Sequence, residues 1–335
     1  MKAPFTQTKE YLKWHEAVNH KTFYREFFVG KSESIDFQID GESEKESVAI
    51  CASIILELKI GKVLYVPYGP VFLDGANKKT KSEVFEYLKN LANTENCVFV
   101  RMEDFSTQAE SSGRKNSFFL FRPFKKSFVK EGIFQPRVEW WLDLHETEEE
   151  IYNRIHKDHK YSIRRAEKEN TDTLIVHENL NKYFEEFWNI MQTTGERDGF
   201  SLYDRKYYES IFNQESKGLK KFLVFTKLHD KFMSVALIVV SGGIANLVFA
   251  GSINEKRELG FNHLMQWTAI QESKKVNCKI YNFGGIYENG YGKKSLQGVT
   301  NFKRKFGGYA KFHGNFLDIP VKKIRYILYI IRKMV

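Results

Sequence analysis

The residues best equipped for chemistry lie in one run, Lys293-Lys-Ser-Leu-Gln-Gly-Val-Thr-Asn-Phe-Lys-Arg-Lys-Phe-Gly-Gly-Tyr-Ala-Lys311, which carries six cations and no acid. It follows Gly284-Gly285 and Gly290-Tyr-Gly292, where a strand end passes into a flexible loop and both ligand access and phosphate contacts are favoured. A second basic stretch, Arg154 to Lys168, holds six Lys and Arg against Asp158 and Glu167. It reads either as a solvated helix face or as a patch that tracks phosphates, with Arg164 and Arg165 in it. Glu103 lies at the end of the run Cys97-Val-Phe-Val-Arg101, which closes in Met102-Glu103-Asp104 and places a carboxylate at a strand end. There is no Gly-x-Ser-x-Gly elbow, no His-Glu-x-x-His and no Cys/His pair with local motif support, so no covalent nucleophile is indicated.

The elements that must hold these groups form a mixed α/β pattern. After a polar stretch, Gly41 to Glu46, the run Ser47 to Leu58 is apolar and β-branched; Lys59 to Lys62 marks a turn and Val63 to Val66 resumes as a strand, predicting a hairpin. Val84, Leu88 and Leu91 predict a helix over Lys81 to Leu91, followed by a strand over Cys97 to Arg101. The second half repeats the pattern. Phe222–Phe225, Ser234–Val240 and Ala245–Ala250 predict a meander, Asn262–Lys274 a helix, and Lys279–Phe283 a strand broken at Gly284-Gly285. Between the halves, Glu146 to Asn170 predicts one charged helix, opened by Thr147 with Glu148-Glu-Glu150 and closed by Arg164, Arg165 and Lys168 in dipole order.

Composition narrows the class. At 335 residues, with 42% hydrophobic residues, the chain has enough material for two domains with real cores. The net charge of +10 favours an anionic partner such as nucleic acid, a nucleotide or a lipid headgroup. Three scattered cysteines, Cys51, Cys97 and Cys278, argue against a disulfide framework and against a metal site. The opening residues lack a signal-peptide stretch, and Val321 to Val335 is short and interrupted by five cations, so a cytoplasmic protein without a membrane span is expected.

The motifs Tyr65-Val-Pro-Tyr-Gly-Pro-Val71, Trp141-Leu-Asp-Leu144, Tyr161-Ser-Ile-Arg-Arg-Ala-Glu-Lys168, Thr194-Gly-Glu-Arg-Asp-Gly199 with Tyr207-Tyr208, Phe283-Gly-Gly285 and Asn301-Phe-Lys-Arg-Lys-Phe-Gly-Gly308 span nearly the whole chain. In order and spacing it resembles the FemABX peptidyltransferases, most closely the compact FemX type. The resemblance implies two tandem GNAT-like domains without the coiled-coil arm of larger members. The first would cover 1–136, completed by the C-terminal helix 321–335, and the second 137–320. It also implies transfer of an amino acid from aminoacyl-tRNA to an amine of a peptidoglycan precursor's stem peptide, with no cofactor beyond the tRNA co-substrate.

Aminoacyl-tRNA is an activated ester, so the work left to the enzyme is to position the amine and stabilise the oxyanion. By the same resemblance Lys303 stabilises the tetrahedral intermediate, Phe302 shapes the pocket and Glu103 sits near the acceptor, where a carboxylate can orient or deprotonate the amine. Trp14, Tyr68, Arg197, Tyr203, Arg205 and Tyr207 become acceptor-binding candidates, and Lys293, Lys294, Arg304, Lys305, Arg164 and Arg165 tRNA-binding candidates. The chain departs from the FemX pattern where that pattern places diphosphate-binding cations, near Trp14 and at Tyr203. Arg205, Lys13, Lys21 or Arg197 could substitute, and the departure leaves a lipid-linked precursor at least as well favoured as a UDP-linked one. The last helix, with Ile324, Ile327, Leu328 and Ile331, would dock on the first domain or lie peripherally against the inner face of an anionic membrane. A monomer is expected. Two other readings stay open. Arg257-Glu-Leu-Gly-Phe-Asn262 partly matches the pyrophosphate loop of acyl-CoA N-acyltransferases but ends in Asn262. The charge alone would also suit a noncatalytic RNA-binding protein, without a recognised signature.

Overall fold

A computed structural model describes residues 3–28, 46–105, 135–215, 218–314 and 316–334. The polar stretch from Gly41 lies outside them except for Glu46. The chain forms two compact units, Met1–Gln135 with His313–Val335, and Pro136–Phe312.

In the first unit, helix α1 (Lys9–Glu16) begins at Thr8, whose hydroxyl accepts the Tyr11 amide at 3.2 Å. Strands β1 (Thr22–Phe28), β2 (Ser47–Leu58) and β3 (Gly61–Val66) are antiparallel, with the short β4 (Val71–Phe72) added to β2. The hairpin expected at Ser47–Val66 is β2–β3. Helix α2 (Lys78–Thr94) starts in a capping box between Asn77 and Thr80. Its buried face, Val84, Leu88 and Ala92, packs with Leu64, Val66, Val100 and Met102, as the apolar spacing requires. It carries the chain to β5 (Phe99–Glu103), parallel to β3. The last strand of the chain, β13 (Phe316–Pro320), pairs antiparallel with β5, giving the order β1-β2-β3-β5-β13. The chain thus rejoins this unit at His313, ahead of the 320/321 boundary expected, because β13 completes this sheet. A final helix, α9 (Lys323–Met334), buries Tyr326, Tyr329 and Ile330 against Val63, Val98 and Phe99.

The second unit has one seven-stranded sheet, ordered β12-β6-β11-β10-β9-β8-β7. Its elements are β6 (Val138–Asp143), α3 (Glu148–Arg154), α4 (Lys157–Lys168), β7 (Thr171–Val176), α5 (Phe184–Asp198), α6 (Arg205–Asn213), β8 (Lys220–Leu228), β9 (Lys231–Ser241), β10 (Ile244–Ser252), α7 (Phe261–Lys275), β11 (Ile280–Gly285), α8 (Gln297–Arg304) and β12 (Tyr309–Phe312). The expected meander is β8–β9–β10, and α7 links β10 to the parallel β11. Both units therefore use antiparallel strands followed by a helical crossover to a parallel strand, the crossover that parallel pairing demands.

One expected element divides. The charged helix predicted over Glu146 to Asn170 is α3 and α4, separated at Ile155-His156, where both backbones turn extended. Ile155 is buried in the core, the His156 amide donates to the Lys305 carbonyl at 2.8 Å, and the His156 ring accepts the Asp158 amide, so the break is held by contacts distant in sequence.

Candidate active site

The second unit builds its site where two neighbouring strands part. β10 and β11 pair only over Ile244–Asn246 and Ile280–Asn282. Beyond that, β10 bulges between Leu247 and Phe249, and β11 shifts register against β6 between Asn282 and Gly285. Asn282 holds the parting point: its amide nitrogen donates to Asn246 Oδ1 at 3.1 Å, and its Oδ1 accepts the Gly284 amide at 2.8 Å. Gly284 has φ +77°, a left-handed conformation that suits glycine.

Lys303, on α8, reaches this point. Its Nζ donates to the Gly285 carbonyl at 2.7 Å and lies 3.9 Å from where a β-carbon on Gly284 would stand. Burial lowers its pKa to about 8, with the buried Glu139 carboxylate opposing the shift. The group is thus a cation at neutral pH that is easier to deprotonate than an ordinary lysine, suited to stabilising a developing oxyanion or giving it a proton.

α8 is fixed by groups that sequence reading missed. His159 on α4 is buried, and its Nε2 stands 3.0 Å from the Phe302 carbonyl. A carbonyl only accepts, so this nitrogen carries the ring proton. The Phe302 ring, half-buried, lies 5.0 Å from His159, 5.1 Å from His263 and 5.3 Å from the buried Phe306. Burial lowers the pKa of both histidines to about 4, which keeps them neutral at pH 7. The sequence signal for it is the position of His159 inside the basic stretch Arg154–Lys168, where it reads as one more polar residue on a charged surface.

The expected tRNA-binding cations divide. Lys293, Lys294 and Arg164 are exposed and Arg165 is half-buried. Lys305 pairs with Asp158 at 2.8 Å, whereas Arg304 pairs with Glu288 and lies over Trp140. The run free of acids in sequence is therefore partly neutralised by acids from other segments.

Four acceptor candidates gather around α5 and α6. Arg197 donates to the Ser252 carbonyl at 2.8 Å and to Asn254 Oδ1 at 3.2 Å, which ties the end of α5 to the end of β10. Ser252 Oγ also accepts from Asn262 at 3.1 Å. Tyr203 is exposed and stacks on the buried Tyr207 at 4.9 Å. Arg205 lies over Phe184 and pairs with Glu185 and Glu209, so its charge is already met by two carboxylates. The acyl-CoA loop candidate at Arg257–Asn262 is closed on one side. A β-carbon on Gly260 would stand 2.3 Å from the Ser162 carbonyl of α4, so the backbone at the helix start packs directly against α4.

The remaining candidates belong to the first unit. Glu103 is buried and accepts the Tyr65 hydroxyl at 2.6 Å; that hydroxyl accepts the Gln135 amide at 3.2 Å. Burial raises the Glu103 pKa to about 7 against the lowering effect of Tyr65, so this carboxyl changes charge near neutrality. Tyr68, with φ +48°, packs 4.7 Å from His313 and 5.1 Å from Phe105. Trp14 is fully buried, 5.5 Å from Tyr11 and 6.1 Å from Phe5.

The three cysteines are buried and their thiols are pushed up to about 12 for Cys51 and about 11 for Cys97 and Cys278, which makes them poor nucleophiles. Among the described residues no three His, Cys, Asp or Glu side chains gather to hold a metal ion, and no helix is long and apolar enough to cross a membrane.

Comparison with known proteins agrees with this architecture. The lipid II:glycine glycyltransferase of Staphylococcus epidermidis is 22% identical over 324 residues, covering 76% of this chain and 77% of its own. The crystal structure of FemX superposes with a TM-score of 0.78 at 16% identity, over 98% of this chain and 95% of that one. A tandem GNAT protein from the clavulanic acid biosynthesis pathway superposes with a TM-score of 0.50 at 8% identity, over 84% and 81%. The fold is thus the tandem GNAT-like α/β architecture expected. The profile of the FemAB family matches residues 6–229 and 213–333, and on that match the chain belongs to the FemAB family.

Proposed function

We propose that the protein is an aminoacyltransferase that moves an amino acid from aminoacyl-tRNA to an amine on the stem peptide of a peptidoglycan precursor, the step that forms an interpeptide bridge. The observation that carries this reading is the Lys303 ammonium at the parting of β10 and β11, held by the Gly285 carbonyl. The acceptor amine attacks the ester carbonyl carbon, a C–N bond forms, and the C–O bond to the terminal ribose of the tRNA breaks, the ribose oxygen leaving as a hydroxyl with the proton that the amine gives up. Lys303 stabilises the oxyanion of the tetrahedral intermediate, Phe302 shapes the pocket beside it, and Glu103 orients or takes the proton that the amine loses. Lys293 and Lys294 contact the tRNA phosphates. No enzyme nucleophile enters, in keeping with the raised thiol pKa values.

Lipid-linked precursor is the favoured acceptor. The staphylococcal relatives are named for lipid II, and Arg205, two residues after Tyr203 in sequence, is engaged by Glu185 and Glu209. Incubating the protein with mixed charged tRNAs and with UDP-linked and lipid-linked precursors, read by mass spectrometry, tests the proposal. A mass increment of one aminoacyl residue on the lipid-linked precursor is expected; acylation from acetyl-CoA, or tRNA binding without transfer, would replace the reading.

A further inference from the structure

The last helix of the chain has two apolar faces. Tyr326, Tyr329 and Ile330 are buried against Val63, Val98 and Phe99 of the first unit. On the opposite side Ile324, Ile327, Leu328 and Ile331 are 78%, 56%, 52% and 51% exposed. Their spacing, three, four and seven residues from Ile324, forms one continuous stripe on an α-helix. Docking on the unit accounts for the first face and leaves the second unexplained. Four large aliphatic side chains in one exposed stripe exceed the scattered singles expected of a soluble surface.

The flanks of the stripe carry only one sign of charge. On helical spacing Lys323 stands on one side and Arg325 and Arg332 on the other, all three exposed. From Val321 to Val335 there is no Asp or Glu. Long cationic side chains beside an aliphatic stripe can extend to headgroups while the stripe enters the acyl boundary. An apolar protein surface without an acidic rim would match the stripe but leave this one-signed border unmatched; an anionic bilayer matches both.

We propose that α9 is an interfacial anchor, which seats the first unit on a membrane surface containing anionic phospholipid through Ile324, Ile327, Leu328 and Ile331. This rests on the reading of a lipid-linked acceptor as the reason such contact is useful, since it would hold the enzyme in the plane where that acceptor is confined. Arg101 supports the anchor from within. Its guanidinium pairs with Asp318, which also accepts the Tyr326 hydroxyl at 2.9 Å, so the buried face of α9 is tied to β5 and β13.

The test is sedimentation of the full chain with vesicles of phosphatidylcholine alone and of phosphatidylcholine with about one third phosphatidylglycerol, at low and high salt. The wild type is expected to bind the anionic vesicles at least tenfold more tightly than the neutral ones, and less tightly at high salt. The double variant Ile327→Ser, Leu328→Ser is expected to lose at least tenfold in vesicle binding. Both positions are exposed, so its unfolding midpoint is expected to stay within a degree or two of the wild type. Equal sedimentation of wild type and variant, or no binding by the wild type, would overturn the proposal. So would a wild-type dimer that the double variant converts to monomer, since the stripe would then be covered by a second copy. Transfer to a detergent-solubilised precursor reports on the enzyme reading separately and is expected to be unchanged by the double variant.

Discussion

The Lys303 ammonium nitrogen stands 2.7 Å from the Gly285 carbonyl oxygen, at the place where β10 and β11 cease to be paired. A cation that among the described residues is held by one backbone carbonyl, in partly dry surroundings, has hydrogen-bonding capacity to spare and little water to screen it. That is the condition under which one donor contributes several kcal/mol to an oxyanion.

The opposed pKa shifts of Glu103 and Lys303 predict a narrow pH window. Glu103 must be ionised to take a proton, and its pKa is raised to about 7; Lys303 must be a cation, and its pKa is lowered to about 8. With both groups used as proposed, kcat/KM rises through pH 7 and falls beyond pH 8. Glu103→Gln should flatten the acid limb, and Lys303→Arg should move the alkaline limb out of range. Rates at matched concentrations of intact aminoacyl-tRNA provide the check; an unaltered acid limb in Glu103→Gln removes that residue from proton transfer.

The tRNA contacts should be readable as a salt slope. Replacing both Lys293 and Lys294, which are exposed, by Ala should weaken tRNA binding several-fold. It should also reduce the slope of log affinity against log salt by about 1.4, or roughly 0.7 per lost phosphate contact. Lys305→Ala should change the slope less, because that ammonium already pairs with Asp158. Filter binding at several salt concentrations distinguishes these outcomes.

Acid should loosen the second unit through His159 and His263. Both pKa values are lowered from 6.5 to about 4 by burial, so the unfolded chain gains protons first as pH falls. The stability they confer is complete above pH 6.5 and is lost progressively toward pH 4, by on the order of 3 kcal/mol for His159. Denaturant unfolding from pH 7 to pH 4 should show this fall, and His159→Gln, which keeps a donor for the Phe302 carbonyl, should show less of it. A transfer rate restored by Gln but not by Leu at position 159 would identify His159 as a positioning residue for α8.

The first unit depends on a buried bidentate ion pair. Arg101 Nε and Nη2 donate to Asp318 at 2.7 and 2.6 Å, both residues buried and directly opposed in the β5–β13 register. Asp318→Ala removes the carboxylate that balances a buried guanidinium and should cost about 3–5 kcal/mol of stability. Unfolding curves of Asp318→Ala and Asp318→Asn decide this; a loss below about 1 kcal/mol in the alanine variant would mean the charge finds water.

Much of this architecture is written in local pattern. The β2–β3 hairpin, α2, the β8–β10 meander and α7 follow from period and turn residues that neighbours in sequence supply. What escaped depends on distant partners. The break at Ile155-His156 is held by the Lys305 carbonyl, and β13 becomes a strand by pairing with β5. Arg304 and Lys305 look unopposed until Glu288 and Asp158 are brought to them. His159 looks like one more surface group until its ring meets the Phe302 carbonyl. For the site, Lys303 and Glu103 came from resemblance; their shifted pKa values come from burial, which a linear sequence does not display.

The most direct test of the account is single-turnover transfer from aminoacyl-tRNA to lipid-linked precursor by Lys303→Met, with circular dichroism and thermal unfolding run in parallel. Loss of the oxyanion donor should lower the rate by about 100-fold to 1,000-fold, with the folded spectrum and tRNA affinity preserved. A well-folded Lys303→Met protein that transfers at near the wild-type rate would contradict the assignment of the reaction centre to the parting of β10 and β11.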